Sequence, residues 1–197
     1  KISIIKNLAK KMSAIAICGG MANSFIKQQG HNIGKSLVEK DVQDIIKDIF
    51  IFSDKNNCKI ILPNDATTAL KLENNINTNI KKIDEIESDE MILDIGPISI
   101  KELKELIKSS KTVFWNGPPG VFEIAPFNKA TIEIAEYIAE LTQAGKIQSF
   151  AGGGDTVAAI EMAGVRDKFT YISTGGGALL ELLEGKQLPG LIAQNIL

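Results

Sequence analysis

Apolar and polar positions along this chain alternate between two periods, one helical and one strand-like. Ile4, Ile5 and Leu8 fall on one face of a helix over residues 2–11. Ala14-Ile15-Ala16-Ile17-Cys18 reads as a short strand stopped by Gly19-Gly20, and residues 21–29 as a helix ending at Gly30. From Glu39 to about Asp54 a longer helix is expected, with Val42, Ile45, Ile46, Ile49 and Phe50 at helical spacing. Cys58 to Leu62 is a strand closed by Pro63. Residues 66–90 are polar and asparagine-rich with no clear period, and short strands are expected within them. Met91 to Ile95 is a strand closed by Gly96-Pro97, Ser99 to about Lys108 a helix, and Lys111 to Trp115 a strand. A helix over 127–143, a strand over 147–151, a helix over 156–162, a strand over 169–172 and a helix over 179–183 complete the pattern.

Strands separated by single helices imply right-handed crossovers and a sheet covered on both faces. The expected fold class is α/β: a Rossmann-like three-layer sandwich whose mostly parallel central sheet has about six strands. Ligands of such sheets bind beyond the carboxyl ends of the strands. Here those ends are Gly19-Gly20, Gly96, Asn116-Gly117, Gly152-Gly153-Gly154 and Thr174-Gly175-Gly176-Gly177. A strand-to-helix turn without side chains lets backbone N–H groups close on a phosphate at the positive end of a helix. Two such turns one helix and one strand apart point to phosphates held from two directions.

Composition narrows the setting. A hydrophobic content of 44% with 23% charged residues is ordinary for a water-soluble domain, and no internal repeat or second-domain boundary is visible. A net charge of −2 advertises neither a nucleic-acid nor a membrane surface, and no apolar run reaches the roughly 20 residues of a membrane span. There is no signal-peptide pattern, and Cys18 and Cys58 read as buried free thiols, so a cytoplasmic compartment is expected. One histidine and two cysteines argue against structural zinc. Two features are odd. The chain begins with Lys1 directly in a helical pattern, and Arg166 is its single arginine among 22 basic residues. Planar recognition of a small anionic substrate favours arginine, so either the substrate side lies elsewhere or the chain is part of something larger.

Two motif matches fail. Gly30-His31-Asn32-Ile33-Gly34-Lys35-Ser36 has three residues between its glycines where a P-loop has four, and reads as a surface turn that carries His31. Gly19-Gly20-Met21-Ala22-Asn23 lacks the spacing of a dinucleotide fingerprint. Asp155 follows three glycines and opens a helix; it is either a cap or a carboxylate for nucleotide-bound magnesium. Thr156 bonds a phosphate or is simply a first-turn residue. Glu123 is either a ribose ligand or a solvated loop residue. Asp94, inside an apolar strand, needs a partner if it is buried.

Read together, Trp115-Asn116-Gly117-Pro118-Pro119-Gly120-Val121-Phe122-Glu123, Gly152-Gly153-Gly154-Asp155-Thr156, and Ser173-Thr174-Gly175-Gly176-Gly177-Ala178 with Leu182-Leu183-Glu184-Gly185-Lys186 closely resemble the phosphoglycerate kinase family. So do Gly19-Gly20-Met21-Ala22, Ile33-Gly34-Lys35-Ser36-Leu37, Leu62-Pro63 and Leu93-Asp94-Ile95-Gly96-Pro97, in family order. The resemblance is to the C-terminal, nucleotide-binding domain over residues 1–197. It implies that the N-terminal domain, which holds 3-phosphoglycerate with a histidine and several arginines, is absent.

The resemblance also implies roles. Lys1, Gly154 and Gly177 would be catalytic positions, with Lys1 on the nucleotide phosphates and the group in flight. Gly19 and Gly20 would flank the adenine, and Glu123 would bind the ribose. Asp155 would hold Mg2+, and Gly153, Gly154 and Thr156 would line the phosphates of ADP or ATP, with Asn116 also at the nucleotide. Gly175, Gly176 and Gly177 would offer N–H groups to the phosphoryl in transit. Pro119 stands where the family often has Met or Val, and Leu179 where some members have Ser. The implied reaction is reversible transfer between 1,3-bisphosphoglycerate and Mg-ADP, giving 3-phosphoglycerate and ATP. A monomer is expected, with little turnover from this half alone. The alternative is a non-catalytic nucleotide-binding module.

Overall fold

The computed structural model describes residues 4–173 and Gly175. Six helices and eight strands alternate within them. Helix α1 (Ile4–Ala9) leads into β1 (Ala14–Ala16), α2 (Gly19–Gln28), α3 (Gln43–Lys55) and β2 (Lys59–Ile61). Then come β3 (Asp65–Ala69), β4 (Asn79–Lys82) and β5 (Met91–Ile95). The remainder runs α4 (Pro97–Ser109), β6 (Thr112–Trp115), α5 (Lys129–Gln143), β7 (Gln148–Gly152), α6 (Gly154–Met162) and β8 (Tyr171–Ser173).

The fold is α/β, but among the described residues the strands do not join into one six-stranded parallel sheet. They form three pieces. β1 and β2 pair in parallel, and β6, β7 and β8 form a parallel sheet with β7 central. β4, β3 and β5 form an antiparallel sheet with β3 central and a bulge at Thr67/Thr68. Among the described residues the expected single sheet is therefore split, with β1–β2 separate from β6–β8, and β5 leaves the parallel arrangement altogether. The run Met91 to Ile95 is apolar enough for a parallel-sheet strand, yet it pairs with β3, from the stretch that showed no period. β3 reads Asp-Ala-Thr-Thr-Ala and β4 Asn-Ile-Lys-Lys, so neither offers the bulky apolar alternation that marks a strand.

Helix starts also move toward the glycines. α2 begins at Gly19, α4 at Pro97 and α6 at Gly154, each one to three residues past its strand. Proline at the first helical position fits because its missing N–H has no intrahelical partner there anyway. The expected helix over 179–183 lies outside the described residues.

Two main cores hold these pieces. One gathers Ile100, Leu103 and Ile107 of α4 with Ala130, Ile134, Ala135 and Ile138 of α5 against the β6–β8 sheet. The small side chains of α5 let it lie close to its neighbours, and each fully buried Ile contributes about 1.5–3 kcal/mol. The other packs Phe25 and Ile26 of α2 against Ile46 and Ile49 of α3. A third, small cluster of Ala69, Leu93 and Phe127 joins β3 and β5 to the segment that precedes α5. The Gly30–Ser36 turn is a structural joint. Gly34, at φ +56°, has no room for a Cβ against the Glu90 carbonyl, which also accepts the Lys35 N–H at 2.7 Å. No described helix is long and apolar enough to cross a membrane.

Candidate nucleotide cleft

The loop after β6 is tied to the turn after β7 by two hydrogen bonds and braced internally by a third. Asn116 Nδ2 donates to the Gly152 carbonyl at 2.5 Å. The Gly117 N–H donates to Thr156 Oγ1 at 2.7 Å, and Trp115 Nε1 donates to the Gly117 carbonyl at 2.7 Å. The turn can approach so closely because Gly153 sits at φ +98°, where a Cβ would lie 2.7 Å from Asn116 Nδ2. Gly19 plays the matching part at the start of α2, with φ +61° and its Cβ position 3.2 Å from the Pro118 carbonyl. Two glycine-rich helix starts thus converge on one proline-rich loop.

Between them opens a cleft of about 310 Å3, within the range of small-molecule sites. Its wall includes Gly19, Gly20, Glu123 and Asp155, so four of the residues singled out from sequence share one space. Its floor is apolar, with Ile26, Ala66, Ile92 and Leu93. Leu37 and Leu72 also line it, and both are solvent-exposed, Leu37 to 78%. Asp155 and Glu123 present exposed carboxylates, whereas Thr156 is buried and spends its hydroxyl oxygen on Gly117. Gly154 is exposed in the first turn of α6. Gly175 follows β8, its N–H 3.3 Å from Ser173 Oγ. Lys1, Gly176 and Gly177 lie outside the described residues.

Two further aspartates line the cleft, and both are buried. Asp65 caps α4: its carboxylate accepts the Ile98 N–H at 2.9 Å, the Ser99 N–H at 2.8 Å and the Ser99 hydroxyl at 2.6 Å. Asp94 accepts the Ile95 and Ala130 N–H groups, each at 2.9 Å. Ala130 is the partner that the sequence could not name. Burial pushes the Asp94 carboxyl up to about 7, against the pull of those two N–H groups. Burial, with the charge of Asp94 second, pushes the half-buried Cys18 thiol up to about 12. Asp65 gave no sequence signal beyond its place after Pro63-Asn64.

Chemically, an apolar floor accepts a flat apolar ring system. Exposed carboxylates at the rim accept hydroxyl donors or a cation, and the first-turn N–H groups of α2 and α6 favour anions. Among the described residues no three His, Cys, Asp or Glu side chains cluster as a protein-only metal cage. Mg2+ bound through phosphates needs only one or two carboxylates, a role the exposed Asp155 fits.

The family model for "Phosphoglycerate kinase" matches residues 1–186. The chain is 48% identical over 193 residues to a phosphoglycerate kinase of Zymomonas mobilis, covering 98% of this chain and 49% of that one. It is 49% identical over 191 residues to one of Agrobacterium fabrum, covering 97% and 48%. The solved structure of phosphoglycerate kinase from Coxiella burnetii superposes with a TM-score of 0.89 at 39% identity, over 94% of this chain and 47% of that one. The crystal structure of phosphoglycerate kinase from Pyrococcus horikoshii gives 0.77 at 26% identity, over 99% and 48%. The chain spans about half the length of the relatives it matches. On the match of its own residues from end to end, this chain belongs to the phosphoglycerate kinase family.

Proposed function

We propose that this chain is the C-terminal, nucleotide-binding half of a phosphoglycerate kinase, and that the cleft between the starts of α2 and α6 holds ADP or ATP. The observation that carries this reading is the meeting of Gly19, Gly20, Glu123 and Asp155 around one apolar-floored space. The base would lie on the floor beside Gly19 and Gly20, the ribose hydroxyls would donate to Glu123, and the phosphates would run toward Gly153, Gly154 and Asp155. Asn116 and Thr156 would hold the two phosphate-side loops together through their hydrogen bonds to Gly152 and Gly117.

In the reaction so proposed, a β-phosphate oxygen of ADP bonds to the phosphorus of 1,3-bisphosphoglycerate while the bond from phosphorus to the carboxyl oxygen breaks. The products are ATP and 3-phosphoglycerate, and no covalent enzyme intermediate is needed. Mg2+, held by Asp155, would neutralise charge on the phosphate oxygens. This chain's part is alignment and electrostatic support, the two contributions on which phosphoryl transfer chiefly depends. Backbone N–H groups of α6 and of Gly175 to Gly177, with Lys1, would face the equatorial oxygens. The second substrate would be held by the other half of the longer protein and brought up by domain closure.

Titration calorimetry tests the reading. Asp155→Ala should weaken Mg-ADP binding by about tenfold or more, the scale of a lost charge-assisted contact, while metal-free ADP changes far less. Equal Mg-ADP affinities in the two proteins would remove the metal role. Robust kinase turnover from residues 1–197 alone would refute the assignment to one half.

A further inference from the structure

Resting on the nucleotide-binding reading above, we propose that Asp94 is a positioning residue, whose ionised carboxylate clamps both ends of the segment carrying Glu123 and so sets the ribose contact. Asp94 is the penultimate residue of β5 and is buried. Its Oδ2 accepts the N–H of Ala130 in the first turn of α5, at 2.9 Å. Its Oδ1 accepts the Ile95 N–H, and a Cβ on Gly120 would sit 2.2 Å from that same oxygen. The loop backbone therefore rests directly on the carboxylate. The preceding residue adds a backbone tie, from the Val121 N–H to the Leu93 carbonyl at 2.8 Å. One end of the segment, Gly120-Val121, and the other, Ala130, are thus gripped from two adjacent positions of β5. Glu123 lies between them, exposed, and among the described residues nothing hydrogen-bonds its carboxylate. Its place is set by the clamped ends.

The grip depends on ionisation. Two N–H donors on two different oxygens match an acceptor-only carboxylate, whereas protonation puts a hydrogen on one of those oxygens. The titratable and charged groups facing Asp94 are Lys129 and Glu133 of α5 and Cys18 at the head of α2. β3 places the uncharged Thr67 opposite it. Asp94→Asn preserves shape and imitates the protonated form. A merely structural role would weaken nucleotide binding equally at every pH, whereas a positioning role through the carboxylate makes the loss follow its titration.

The test measures the Kd of the 197-residue chain and of its Asp94→Asn variant for Mg-ADP from about pH 5.5 to about pH 8.5, and takes their ratio. Protonation of the nucleotide itself enters both and cancels. At the alkaline end the variant should bind about tenfold more weakly, and at the acid end within about twofold of the parent, as one pKa unit of coupling requires. A ratio near one throughout, or one that does not change with pH, overturns the proposal. A parent chain that binds no Mg-ADP at any pH fails the nucleotide reading, and the proposal with it. Should the variant not fold, the Asp94 carboxyl 13C shift of the parent decides, followed with and without saturating Mg-ADP. By linkage, binding should lower the Asp94 pKa by about one unit; an unmoved pKa overturns the proposal.

Discussion

Replacing Asp65 by alanine removes the cap of α4 from a position 34 residues away in sequence. The helix cannot supply its own cap. Its N-cap residue is Gly96, and a Cβ there would lie 2.2 Å from Asp65 Oδ2. The substitution deprives three donors of their acceptor: the Ile98 N–H, the Ser99 N–H and the Ser99 hydroxyl. The hydroxyl has a second acceptor in the Asp65 carbonyl at 3.3 Å, and Ile98 is half exposed, so its N–H can meet water. The Ser99 N–H is left buried and alone. Losing a cap costs about 0.5–2 kcal/mol, and stranding a buried donor about 1–3 kcal/mol more. The expected total is about 3 kcal/mol. Asp65→Asn keeps one acceptor oxygen and should cost about half of that. Urea unfolding followed by the fluorescence of Trp115, the single tryptophan, gives both values if the transition is two-state. An alanine variant within 1 kcal/mol of the parent, or an asparagine variant as damaged as the alanine one, would refute the capping argument.

Two other outcomes follow from buried groups. Burial alone would push the Glu90 carboxyl up, but bonds from the Glu87 N–H, Asn79, Lys81 and Thr68 outweigh it and hold it below the usual glutamate value. A lowered carboxyl stabilises the fold above its unfolded pKa and loses that stability as pH falls through the folded one. Glu90→Gln should therefore lower the urea midpoint at pH 7 and leave it nearly unchanged near pH 3; equal losses at both would sink the assignment. Burial raises both cysteine thiols, Cys18 up to about 12, which leaves a thiolate fraction of about 10⁻⁴ for Cys18 at pH 8. Neither should react with iodoacetamide in the native chain within hours at pH 8, while both react at once in guanidinium, by mass spectrometry; rapid native labelling of Cys18 contradicts this.

The parts of the fold that rest on local pattern were legible. Every helix expected within the described residues forms, and each of the six expected strands is present, because short apolar runs ended by glycine or proline are local signals. β3 and β4 answer the expectation of short strands in that stretch, but their bounds and pairing were not legible, since Thr67, Thr68 and Asn79 carry no apolar alternation. Their order is fixed by cross-strand pairing and by the buried carboxylate of Glu90, which accepts bonds from Thr68 and Asn79. Of the candidate cleft, the glycines and exposed carboxylates on its wall were singled out from sequence, and its floor was not. Ile26 and Ile92 have the spacing of ordinary core residues, and periodicity does not distinguish a core from the bottom of a cleft. The partners of Asp65 and Asp94 were out of reach for a related reason. Ser99 and Ala130 stand 34 and 36 residues away, joined to them only once the chain is folded.

Those distant pairings change what the glycines mean. From sequence, every glycine at a strand end looked like room left for a ligand. Gly96 and Gly120 are small because Asp65 and Asp94 occupy the space a Cβ would need. Gly19 and Gly153 are glycines because their φ values are +61° and +98°, where other residues are strained. Gly20 and Gly154 answer to neither cause: a Cβ on either would meet nothing within 4 Å, and their φ is not left-handed. Both stand in the first turn of a helix, where alanine would favour the fold by up to about 1 kcal/mol. What the folded chain leaves unexplained at these two positions, close approach of the proposed ligand to backbone N–H groups would account for. Of all the glycines in the cleft's neighbourhood, Gly20 and Gly154 therefore lend the nucleotide reading its most direct support. Gly96 and Gly120, whose room is taken by carboxylates, lend it none.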